Sequence, residues 1–254
     1  MFTFSEVDIA HWLSAFIWPF VRVLALFTAA PVFSHRAFPR RARVGLAFMI
    51  TLIVAPLLPP ANAQALFSPL GLLLLLQQLL IGFGIGFSVR ITFAAIEAAG
   101  DLVGFQMGLG FATFVDPQHN QQAPIIGSFL GILASLVFFA LDGHLILLSA
   151  LIDSFTSAPI AVDGLRQFHP QALVTLGATI FSLGLHIALP MVGAIMISNI
   201  ALGLLSRAAP QLNIFAIGFP VTLMIGFWSL WMSLPFLGGV IEAAFHRNLL
   251  EFMR

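Results

Sequence analysis

What limits this chain most is the length of its apolar runs. They cover about residues 9–33, 44–58, 68–100, 125–141, 171–207 and 214–245, six blocks divided by short polar or proline-bearing stretches. Several approach or exceed the roughly 20 apolar residues that a membrane-spanning helix needs. A water-soluble fold of 254 residues has no interior large enough to bury so many. Composition agrees: 60% of residues are hydrophobic and 8% charged, with a mean hydropathy of +1.05. The expectation is an all-α integral membrane protein of about six long, kinked or broken apolar helices. Block 68–100 would form about 50 Å of helix against a hydrocarbon core of roughly 30 Å, so it must tilt, break or protrude. Pro190 divides the fifth block, and Pro220 and Pro235 the sixth. Each is read either as one kinked helix or as a tight pair.

Charge placement raises a difficulty. Arg36, Arg40, Arg41 and Arg43 crowd around Pro39, which predicts a cytoplasmic first loop and a non-cytoplasmic N-terminus. Glu6 and Asp8 suit that side, and without a basic leader the N-terminus does not read as a cleavable signal peptide. Six crossings would then leave the C-terminus outside, whereas Arg247 and Arg254 favour the cytoplasm. Either one segment enters without crossing, or the protein is not an ordinary bundle. The stretch GFATFVDPQHNQQAPIIG at 110–127 is the natural suspect, since Pro117 and Pro124 forbid a continuous helix and Asp116 reads as a cap or turn. Non-helical backbone survives at membrane depth only inside protein or beside water. The stretch is therefore an external hydrophilic loop or, with Met107, Leu109, Phe111 and Phe114 set among Gly108 and Gly110, a soft apolar gate.

Other chemistry is thin. Ten Arg balance ten acids and no Lys is present, which leaves no attraction for nucleic acid. The absence of Cys removes disulfides, thiolate metal sites and thiol catalysis. The seven histidines are scattered, and no metal, cofactor or catalytic constellation is expected. An intramembrane aspartyl protease would need a partner for Asp101 at matching depth, and Asp142 sits at a helix end. Arg90, Glu97 and Asp101 fall at i, i+7 and i+11 on one face. They are read as a buried polar stripe, either an internal ion-pair network or the lining of an aqueous path. Arg22 and Asn199 are expected to be paired structurally. Gly82 and Gly86, then Gly100, Gly104 and Gly108, then Gly127 and Gly131 recur at four-residue spacing, which permits close helix packing within the chain or against other subunits.

The run EAAGDLVGFQMGLGFATFVDP (97–117), with GLLSRAAPQLNIFAIGFP (203–220), RAFPRRARVGLAF and QQLLIGFGIGF, resembles the FliR family. FliR proteins are membrane components of the bacterial flagellar type III protein export gate. The resemblance covers nearly the whole chain. It implies an inner-membrane, multi-pass protein of the flagellar basal body that joins FliP and FliQ in a hetero-oligomeric pore. That pore would work beside FlhB and FlhA and pass unfolded flagellar substrates. It implies a FliP-like part over 1–170 and a FliQ-like hairpin over 171–254, in an assembly standing largely above the membrane plane. A re-entrant plug loop would fall on 107–120, with Phe111 and Phe114 occluding and Val115, Asp116 and Pro117 closing the run. Arg207, Pro210, Gln211 and Asn213 would form the tight end of the hairpin, with a structural or subunit-contacting role. The homologous component of virulence injectisomes is the alternative within the family. Outside it, the rival is a stand-alone small-solute transporter using Arg90, Glu97 and Asp101, favoured only by a faint echo between Gly86-x-x-x-Arg90 and Gly203-x-x-x-Arg207.

Overall fold

The computed structural model describes residues 6–35, 37–58, 68–110, 124–161, 170–211 and 214–253, and among them every regular element is helical. In order they are α1 (Glu6–Ala29), α2 (Pro31–Ser34), α3 (Arg40–Val54) with a short 3-10 turn at Ala55–Leu57, α4 (Pro69–Gln106), α5 (Ile125–Ala140), α6 (Gly143–Ser157), α7 (Pro170–Ala208) and α8 (Ile214–Met253). The all-α expectation holds. Four described helices are long and apolar enough to cross a membrane, with windows at 12–29, 69–106, 177–208 and 216–249, and α5 with α6 forms a further, bent pair.

Local sequence explains the boundaries. Pro31 pushes Ala30 to an extended conformation, φ −66° and ψ 125°, which stops α1. Pro69 opens α4 at the position where a missing N–H costs nothing, and the Ser68 carbonyl accepts the Gly71 amide at 2.9 Å. From there α4 runs 38 residues, about 57 Å, without a break. The long third block therefore resolves as a single overlong helix. Blocks five and six are also single helices, α7 passing through Pro190 and α8 through Pro220 and Pro235. Helix α6 was missed in the sequence reading, which closed the fourth block at Asp142–Gly143. Asp142 takes a left-handed conformation, φ 54°, and its carbonyl accepts the Leu145 and Ile146 amides at 2.8 and 3.1 Å, so a turn begins a new helix there.

The chain divides into two compact units interleaved along the sequence: residues 1–90, 142–176 and 245–254, and residues 91–141 and 177–244. In the first, α1 and the start of α4 run parallel. Trp18 packs on Leu74, and further along any side chain at Gly82 would strike the Arg22 carbonyl, and one at Gly86 the Leu26 carbonyl. Helix α3 runs back beside α1, with Phe16 and Phe48 ring centroids 5.1 Å apart and Arg43 Nε donating to the Phe33 carbonyl at 2.9 Å. Its buried face is Ala47, Thr51 and Val54. In the second unit, the later part of α4 is packed by α5, α7 and α8 through small residues, as follows.

Candidate functional site

The end of α4 is closed by glycine chemistry. Gly108 has φ 83°, a region that side-chain-bearing residues rarely adopt. Its amide donates to the Phe105 carbonyl at 3.0 Å, and the Leu109 amide donates to the Gly104 carbonyl at 3.0 Å. These paired bonds are those of a Schellman termination. Met107, immediately before, is fully buried. Its side chain fills the space over Gly226 of α8, where an added Cβ would lie 2.5 to 2.7 Å from Met107 Cγ, Cε and Sδ.

Where the chain re-enters the described structure, it returns to the same place. Helix α5 begins at Ile125 and lies antiparallel on α4: a Cβ on Gly100 would sit 2.6 Å from Gly127 Cα, and one on Gly104 3.6 Å from Ile126 Cγ1. Further along, the Phe93 and Phe138 rings stand 6.1 Å apart. The described residues on either side of 111–123 thus meet at one neck, with Met107 locked on one side and Gly127 on the other.

Phe111, Phe114, Val115, Asp116 and Pro117, named from the sequence as the plug, lie outside the described residues, as does Asn213. Of the other plug residues, Met107 is an interior anchor of the neck and Leu109 completes the helix termination, half-buried. Among the packing glycines, Gly82 and Gly86 close on α1, and Gly100 and Gly104 on α5. Gly108 instead serves the backbone turn. Arg207, Pro210 and Gln211 are exposed at the end of α7, where the Ala209 amide donates to the Leu205 carbonyl at 2.9 Å.

The polar stripe needs correcting. Arg90 and Glu97 are exposed and Asp101 is half-buried, so it is not a buried stripe within this chain. The close-packed side of α4 is its glycine and alanine side, and long charged side chains are left at the margins. There Glu97 and Asp101 lean on the bare glycines of α5: a Cβ on Gly131 would lie 2.8 Å from Glu97 Oε1, and one on Gly127 would strike Asp101 Oδ1. Asp101 Oδ1 is buried without a hydrogen-bond partner. Two packing points escaped the sequence reading, Gly184 of α7, where an added Cβ would lie 3.0 Å from the Ala95 carbonyl oxygen, and Gly226. Neither has a glycine four residues away, so glycine periodicity carried no signal for them. No cluster of His and acidic side chains able to hold a metal occurs among the described residues.

The chain matches the family described as bacterial export proteins, family 1, over residues 13–248. It is 46% identical over 245 residues to the flagellar biosynthetic protein FliR of Pectobacterium carotovorum subsp. carotovorum, covering 96% of this chain and 94% of that one. It is 44% identical over 234 residues to the FliR of Escherichia coli strain K12, covering 92% and 89%. To that of Bacillus subtilis strain 168 it is 29% identical over 246 residues, covering 94% and 93%.

Proposed function

Since this chain belongs to the bacterial export proteins, family 1, and to the FliR proteins within it, we propose that it completes a protein-conducting channel with FliP and FliQ and helps to seal it. The coarser role stands on the comparisons: the chain is a membrane-embedded export component of flagellar biosynthesis, and nothing in them indicates catalysis. Its place at the inner membrane beside FlhA and FlhB is carried over from the family resemblance, and the sealing role rests on one observation above all. Before the segment, Gly108 ends α4 beside the anchored Met107, and after it Gly127 of α5 packs on Gly100 of the same helix, which suits a stopper tethered at both ends. A soft apolar obstruction blocks ions by dewetting and yields to a passing polypeptide.

Supporting this, α7 and α8 leave much apolar surface uncovered on the chain, with Phe181 81%, Ile197 71%, Trp231 68% and Phe236 75% exposed. Gly177, Gly193, Gly203, Gly238 and Gly239, on the same two helices, have nothing within 4 Å of an added Cβ. Small residues with bare surroundings suit helices that other subunits approach closely. This accords with a FliQ-like hairpin over 171–254 fused to a FliP-like part over 1–170.

Mild extraction followed by native mass measurement tests the assembly. FliP and FliQ should accompany the chain, whereas a lone chain or a simple symmetric homo-oligomer would favour a solute carrier. For the seal, deleting 111–117, or Phe114→Ala, should make the intact, closed complex leak ions. Unchanged conductance in a verified complex would reject the stopper.

A further inference from the structure

Arg22 lies in the middle of α1 with no solvent exposure. Its Nε donates to Gln78 Oε1 at 2.7 Å, Nη1 to the Ser154 carbonyl at 2.7 Å and to Ser154 Oγ at 3.0 Å, and Nη2 to the Ala158 carbonyl at 2.8 Å. The guanidinium carbon stands 4.2 Å from the centre of the Phe155 ring. All of these acceptors are neutral. Ser154 and Ala158 end α6, so the cation caps the negative end of a helix dipole. Beside it, Gln77 Nε2 donates to the Pro159 carbonyl at 3.1 Å.

Three further polar atoms of this layer, Trp18 Nε1, Gln77 Oε1 and Gln78 Nε2, are buried without a protein partner. Their orientations are fixed. Gln78 turns its oxygen to Arg22, which leaves its NH2 to donate; Gln77 turns its NH2 to Pro159, which leaves its oxygen to accept. Trp18 and Arg22 are one turn apart on α1, as are Leu74 and Gln78 on α4. The helices run parallel with Trp18 on Leu74 and Arg22 on Gln78. The three side chains therefore stem from positions within about one helical turn of the Arg22 cap.

We propose that Trp18, Gln77 and Gln78 hold ordered internal water at this depth, wetting the edge of the Arg22 cap. Water donates to Gln77 Oε1 and accepts from Trp18 Nε1 and Gln78 Nε2, which supplies the several polar partners that a buried water needs. An anion would leave Gln77 without a donor. A metal ion would face the guanidinium and two N–H donors. The water shares the hydrogen-bonding load of Gln78 and so steadies the side chain that orients Arg22.

Radiolytic hydroxyl footprinting of the full chain in native membranes tests this, because radicals made from bound water oxidise the side chains touching it. Trp18 should be oxidised severalfold faster than Phe27, a fully buried ring on the same helix, after correction for intrinsic reactivity. Gln77→Leu should reduce that oxidation severalfold. If Trp18 in the unaltered chain is as inert as Phe27, the site is dry and the proposal is overturned. If Gln77→Leu folds and Trp18 reacts as before, Gln77 is not a ligand and the assignment fails. Should the variant not accumulate, the footprint of the unaltered chain decides alone.

Discussion

Replacing Gly100 by alanine puts the α4–α5 neck under a calculable strain. The new Cβ would lie 2.6 Å from Gly127 Cα, 2.7 Å from its nitrogen and 2.8 Å from the Ile126 carbonyl carbon. All three neighbours are backbone, so no rotamer change relieves them. Restoring ordinary contact near 3.4 Å means parting the helices by roughly 0.8 Å at the neck, the difference between 3.4 and 2.6 Å. Overpacking of this kind costs about 1 to 3 kcal/mol, and a backbone neighbour puts it at the upper end. Alanine recovers about 1 kcal/mol through helix propensity. The net loss is about 2 kcal/mol, roughly thirtyfold in the folded fraction. Gly193→Ala is the internal control, since nothing lies within 4 Å of its added Cβ and α7 is helical there. Thermal unfolding of purified chains in one detergent should rank Gly193→Ala at or above the parent and Gly100→Ala well below it. Equal stability of the two variants would show that the neck does not close as described.

Gly108→Ala places a side chain at φ 83° and should cost about 1 to 2 kcal/mol, with Gly108→Asn milder because asparagine tolerates the left-handed region; limited proteolysis near 105–110 reads the fraying. Arg22→Met should loosen the end of α6, whose Ala158 carbonyl loses its Nη2 donor, and Arg22→Lys should fall between it and the parent, since one ammonium cannot match a fork donating to Gln78, Ser154 and Ala158; hydrogen exchange at 155–158 reports the order. Asp101→Asn should retain export, measured as swimming motility, because the side chain keeps its shape against Gly127; loss of export with normal accumulation would give the carboxylate a role beyond packing.

What the sequence made legible was the chemistry set by neighbours along the chain. Pro31 and Pro69 marked helix edges, the long apolar runs marked helices, and the motif around 97–117 marked the family. What it hid was chemistry set by partners far away. Arg22 reaches across 56 residues to Gln78 and 132 to Ser154, and no local pattern says that a mid-helix arginine will be satisfied by carbonyls instead of a carboxylate. Helix α6 was lost for a related reason: Asp142 and Gly143 are turn residues, and the strongest reading of a turn at the end of an apolar run is termination, not the start of another helix.

The glycines show the same limit in its sharpest form. Gly82 and Gly203 look alike in sequence, each within a helix among leucines and other apolar residues. Yet a side chain at Gly82 would strike the Arg22 carbonyl, while Gly203 has nothing within 4 Å. Small-residue spacing records that a backbone approaches, not whose backbone it is. The close-packed glycines of α4 are accounted for by this chain's own α1 and α5, whereas several on α7 and α8 are unaccounted for. Under the export-gate reading, alanine at Gly203 should leave the isolated chain's stability at or above the parent and reduce the recovery of partner subunits with it. Recovery equal to the parent would mean that the bare surface around Gly203 is lipid-facing and that the packing signal there was misread.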